Sequence, residues 1–142
     1  MLAFLRAPER PMAQVKVPDR PLSPHLQIYR LSWTMVMSIV HRITGAANYF
    51  GAALVAIWLV AMASGPRAYD AVQWFFGSWL GLLILFGYSW SLIHHMLGGV
   101  RHLVWDFGHG MEPGKRFAMA RYTLFASVPL TILIWIVGFT MI

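Results

Sequence analysis

Three stretches of this 142-residue chain contain no Lys, Arg, Asp or Glu: residues 43–66, 71–100 and 122–142. Crossing a bilayer takes about 20 mostly apolar residues in a helix, and each stretch is long enough. None shows the polar face that a helix of a soluble bundle needs. With 58% apolar and only 11% charged residues, the composition points the same way. The expected fold class is an all-α membrane protein with three transmembrane helices.

Basic residues set the expected orientation. Arg6, Arg10, Lys16, Arg20 and Arg30 precede the first span, and Arg101, Lys115, Arg116 and Arg121 surround the second connection. The connection after the first span holds only Arg67. Because Lys and Arg accumulate on the cytoplasmic or matrix side, the N-terminus is expected inside and the C-terminus outside. The net charge of +6 then reflects topology and contact with membrane lipid, and no nucleic acid is expected as a partner. With no cysteine, the chain forms no disulfide and supplies no thiolate to an iron–sulfur cluster. It also lacks a Gly-rich phosphate loop or dinucleotide fingerprint. If it handles electrons, the centre is held by histidine or belongs to a partner.

Five of the eight prolines (Pro8, Pro11, Pro18, Pro21 and Pro24) lie in residues 1–30, a density that prevents a helix. That segment is expected to be an extended basic arm on the inner surface, followed by a transmembrane domain over 31–142. "MLAFL" is too short an apolar run for a secretory signal, and the lack of Ser before Ser23 argues against a transit peptide. The helices are expected at about residues 32–63, 71–105 and 117–141. "SGPRAYD" should form the outer turn and "DFGHGMEPGK" the inner loop.

Several polar residues sit where lipid should be. His94 and His95 precede the charged inner end of the second span. An ionisable residue at membrane depth is costly and is a functional candidate; neutral imidazole is also a common haem ligand. The alternative is a histidine bonded to a neighbouring helix or reaching the headgroups. His95, Gly98, Gly99 and His102 are spaced to share one helical face. Glycines there would let a flat macrocycle lie against the backbone, although close helix packing uses glycine too. His95 and His102 cannot ligate one iron, because seven residues separate them by about 10.5 Å of rise. A second ligand would come from His41 or from a partner subunit.

In "SIVHRITG", residues 38–45, Ser38 and Arg42 share a face and His41 adjoins them. Arg42 keeps its charge and wants an anion, such as a haem propionate, or a strong acceptor, such as a quinone carbonyl. A serine hydroxyl can donate to the same carbonyl. Snorkelling of Arg42 to headgroups is the plain alternative. Arg101 and Asp106 read as markers of the membrane edge, and His102 as a propionate contact or an interfacial histidine.

"RPLSPHLQIYR" (20–30), "SIVHRITG" (38–45) and "HHMLGGVRHLVWDFG" (94–108) together resemble the signature segments of the cytochrome b556 subunits of succinate dehydrogenase, the respiratory complex II. The resemblance covers order, spacing and three-span layout after about residue 20. It implies half of a heterodimeric haem-binding helix bundle, with His95 as the axial ligand of haem b and the second ligand from a companion membrane-anchor subunit. Many family members have Tyr where this chain has His94; the glycine face favours His95. The resemblance also implies a ubiquinone site that includes Ser38 and Arg42, with His41, Arg42 and His102 near the haem propionates. With Ile39, Gly98 and Gly99 added, these form the expected cofactor-binding set. FAD and iron–sulfur clusters would reside in a flavoprotein and an iron–sulfur partner subunit. The expected location is the bacterial inner membrane rather than the mitochondrial one. The competing readings are a haem-free structural anchor and the anchor of a fumarate reductase.

Overall fold

The computed structural model describes residues 30–141. Apart from Arg30, the arm expected over residues 1–30 lies outside them. The rest is helical: α1 (Trp33–Ser64), α2 (Pro66–Gly77), α3 (Trp79–Asp106) and α4 (Pro113–Thr140). Among the described residues, α1, α3 and α4 are long and apolar enough to cross a membrane. At 12 residues α2 is too short, since it rises only about 18 Å against a hydrocarbon core of about 30 Å.

Local chemistry accounts for the helix ends. Ser32 caps α1, its Oγ accepting from the Met35 N–H at 3.4 Å. Pro113 and Pro66 occupy first-turn positions of α4 and α2, where a missing N–H costs nothing. For that reason α4 begins at Pro113, four residues before the expected 117.

The second span departs from the expected single helix over 71–105. "PRAYD" is helical rather than a turn, and the chain reverses at Gly65 alone, whose φ of 108° suits a residue without Cβ. The helix is then interrupted at Ser78. The Ser78 hydroxyl donates to the Phe75 carbonyl at 2.6 Å and accepts from the Gly81 N–H at 3.1 Å. This local bonding competes with the continuous helical ladder and starts α3 afresh. Gly81 is required there, because a Cβ would collide with the Phe75 and Phe76 backbone.

α3 packs against each of the other helices. Pairings between residues 41 and 95, 48 and 91, and 101 and 123 run it antiparallel to both α1 and α4. The buried positions are mostly small or hydroxylated: Thr44, Gly51, Ala61, Gly81, Ser91, Gly98, Ala120, Thr123, Ser127 and Thr131. Large apolar side chains such as Phe50, Leu83 and Ile136 face outward. This inversion of a soluble core is the packing expected where lipid, not water, is the solvent. At Gly51 the Tyr88 ring fills the place a Cβ would take.

Candidate cofactor site at the basic end of the bundle

Two polar seams run along α3 at the end of the bundle shared by the start of α1, the end of α3 and the start of α4. Arg101, Lys115, Arg116 and Arg121 lie at this end, whereas Arg67 and Asp70 of α2 lie at the other.

The α1–α3 seam holds most of the expected site residues. Ser91 Oγ lies 2.7 Å from Asn48 Oδ1 and 3.0 Å from the Thr44 carbonyl. One turn on, the Thr44 hydroxyl donates to the His41 carbonyl at 3.0 Å. His95 Nδ1 stands 3.1 Å from that carbonyl and 3.3 Å from Thr44 Oγ1. With the Thr44 proton on the carbonyl, the tautomer that satisfies both contacts carries its proton on Nδ1. The other nitrogen, Nε2, then keeps a free lone pair and has no hydrogen-bond partner among the described residues. This is the arrangement of a metal-ligating histidine, whose second nitrogen is tied to a backbone carbonyl.

The His41 ring stacks on His95, with centroids 4.0 Å apart and planes 14° from parallel. Ligands on opposite sides of one metal have nitrogens about 4 Å apart and rings that extend away from each other. Side-by-side rings cannot do this, so His41 is not the second ligand in this arrangement. The His102 ring is tilted 59° to His41 at 5.3 Å and edge-on to Trp105 at 5.1 Å, which continues the aromatic contacts toward the helix end.

Gly98 and Gly99 divide in a way the shared-face reading did not anticipate. A Cβ on Gly98 would enter the His41 ring, so this glycine makes room for His41 rather than for a macrocycle. At Gly99 a Cβ would meet nothing within 4 Å, which leaves that side of α3 open. A Cβ on Gly45, one of the residues the sequence did not single out, would stand 3.0 Å from His95 Cε1. His41 Nε2 is buried without a partner.

Ser38, Ile39 and Arg42 are not in this cluster. All three are exposed, one step around α1 from the buried Met37 and Thr44 and the half-buried His41. They face away from the chain's own bundle, where another subunit or a ligand can reach them.

The α3–α4 seam separates the adjacent histidines. His94 is 1% exposed, and its Nδ1 stands 3.2 Å from Ser127 Oγ. Ser127 Oγ also accepts from Trp90 Nε1 at 3.1 Å and donates to the Leu124 carbonyl at 2.8 Å. His94 is thereby committed to α4. Arg101, expected at the membrane edge, is instead 5% exposed between α3 and α4. Its guanidinium donates to Thr123 Oγ1 at 3.2 Å. Ala120, Thr123, Ser127 and Thr131 form a stripe of small residues at helical spacing on α4, the signal that would have located this seam.

Three membrane-length helices, two of them joined by a histidine-lined seam, define an integral membrane protein. Residues 16–138 match the model of the succinate dehydrogenase/fumarate reductase transmembrane subunits, and the chain belongs to that family. It is 44% identical over 128 residues to the succinate dehydrogenase cytochrome b556 subunit of Paracoccus denitrificans, covering 90% of this chain and 98% of that protein. The cytochrome b556 subunit of Rickettsia felis is 34% identical over 118 residues, covering 82% of this chain and 91% of that one. The cytochrome b560 subunit of Marchantia polymorpha is 35% identical over 123 residues, covering 81% and 88%.

Replacing Ser127 by Ala leaves Trp90 Nε1 and His94 Nδ1 unpaired inside the bundle. An unsatisfied buried group costs about 1–3 kcal/mol. The thermal midpoint of the purified, detergent-solubilised S127A protein should therefore fall by several degrees, which differential scanning fluorimetry would register; an unchanged midpoint would remove the α3–α4 seam from the account.

Proposed function

We propose that this chain is the haem-b-holding membrane-anchor subunit of a succinate:ubiquinone oxidoreductase. The observation that carries the reading is the placement of His95: its Nδ1 lies 3.1 Å from the His41 carbonyl, and its partly exposed ring leaves Nε2 accessible and without a hydrogen-bond partner among the described residues. Bound haem b would supply a one-electron centre. The open face of Gly99 accommodates a flat group beside α3, and the exposed His102, with His41 beside it, offers an N–H donor for its propionates. The second axial ligand comes from a companion membrane-anchor subunit, which makes this bundle half of a heterodimeric one.

Ubiquinone is the substrate at the exposed Ser38–Arg42 face of α1. The Ser38 hydroxyl and the Arg42 guanidinium are donors at i and i+4, so both can address one carbonyl oxygen. As electrons arrive, negative charge grows on that oxygen, and a fixed guanidinium stabilises it most where water is excluded. Ile39, beside them and 48% exposed, supplies an apolar wall. Electrons reach the site from succinate through FAD and iron–sulfur clusters in partner subunits, consistent with a chain that has no cysteine. The cluster of basic residues at the same end supports an inner-side site, with the N-terminus inside, the C-terminus outside, and a bacterial inner membrane as the location. The similar proteins, all succinate dehydrogenase subunits, support succinate oxidation over fumarate reduction.

Three measurements test this. H95A should abolish or disorder the reduced b-type absorbance of the purified complex, while H94A keeps it; normal spectra in both would end the ligand assignment. R42A should lower ubiquinone reduction at least about tenfold, the effect of losing one charge-assisted hydrogen bond. Succinate oxidation with a soluble artificial acceptor should persist in R42A, and full quinone turnover would remove Arg42 from the site. Because the native chain lacks cysteine, S64C should react with an impermeant thiol reagent in intact cells and H109C only after permeabilisation; the reverse pattern would invert the topology.

A further inference from the structure

Among the described residues, Arg101 is a buried cation without a counter-ion. Its guanidinium makes one hydrogen bond among them, to the neutral Thr123 hydroxyl, and lies over the Trp105 ring at 5.3 Å, while its Nε is buried with no partner. The ion pair present among the described residues joins Lys115 to Glu112 at 3.2 Å, on the surface of the helix start. A guanidinium buried near the end of a membrane-length helix is costly unless an anion or several acceptors compensate it. Arg101 also does not face the candidate cofactor site. It shares the α4-facing side of α3 with His94, one heptad away, whereas His95 and Gly98 face His41 on α1.

Arg101 and Thr123 line a groove of about 220 Å³ between α3 and α4. Its walls are Leu97, Val100 and Val104 on one side and Met119, Tyr122 and Ala126 on the other. Met119, Tyr122 and Ala126 continue at helical spacing to Lys115, which places a second cation at the mouth. An occupant must therefore be anionic at one end and apolar along its length. Soluble phosphate meets the first condition only, and a hydrocarbon chain meets the second only.

We propose that this groove binds one anionic phospholipid, with a phosphate oxygen on the Arg101 guanidinium, an acyl chain against Leu97, Val100 and Ala126, and Lys115 at the headgroup. The guanidinium fork matches phosphate geometry and forms charge-assisted bonds with it. The site lies on the side of α3 away from His95, so it is independent of haem and of the quinone face.

The test uses the intact complex that copurifies with this chain, reconstituted in nanodiscs of phosphatidylcholine with an equal share of phosphatidylglycerol and read by native mass spectrometry. The wild type should retain phosphatidylglycerol in preference to phosphatidylcholine. R101M should weaken that retention about tenfold, as expected for loss of a charge-assisted contact. A126F, which fills the groove and leaves every charge in place, should weaken it likewise. R67Q, at the opposite end, should not, and the reduced b-type spectrum should be unchanged in all three. Equal retention in A126F, displacement of the lipid by inorganic phosphate, a partner carboxylate cross-linked at this groove, or a shifted haem spectrum in R101M would each overturn the proposal. Should R101M fail to assemble, A126F decides alone.

Discussion

The bond between His95 Nδ1 and the His41 carbonyl is the interaction on which the rest of the structure turns. A polar group in hydrocarbon has no water to fall back on, so its partner must come from the protein. Helix-to-helix hydrogen bonds in membranes contribute only about 0.6 kcal/mol each on average, whereas an orphaned group costs about 1–3 kcal/mol. The seams therefore act mainly by penalising misalignment. Sliding α1 by one turn along α3 would part Asn48 from Ser91, Thr44 from His95, and the His41 ring from the hollow over Gly98. Register and side-chain geometry are set together, and the ring nitrogen that remains free is free because its neighbour is bound.

Adjacent positions on α3 do different work for the same reason. Successive residues of a helix point about 100° apart, so His94 turns to α4 and His95 to α1. His94 finds Ser127 and Trp90, becomes nearly inaccessible, and ties the third span to the second. His95 is partly exposed and keeps a nitrogen available. The exposed Ser38, Ile39 and Arg42 extend this division on α1, where the side that meets α3 is packed and the adjoining side is open to whatever the family's other subunits present.

Much of this architecture could be read along the chain. Stretches free of charge marked the spans because burying a charge in lipid is costly over any length, a property that needs no knowledge of neighbours. The basic residues around 101–121 marked one end of the bundle on the same ground. The break at Ser78 was not legible, since it depends on one hydroxyl bonding Phe75 and Gly81 inside an otherwise helical, apolar run. Nor was the burial of Arg101: near a helix end, arginine reads as an edge marker until α4 is seen to cover it. Gly98, expected to face a macrocycle, faces the His41 ring, because what it meets is decided by α1.

By itself, then, the sequence determined that the chain enters a membrane as three helices, which residues are too polar to lie there without cause, and which motifs link it to its family. These are local properties of hydropathy, charge and spacing. Tertiary structure alone decided which of two neighbouring histidines stays accessible, that His41 stacks beside His95 instead of opposing it, and that Arg101 is inside. Those outcomes follow from the rotation and register of one helix against another, and residues more than 20 apart in the chain set them.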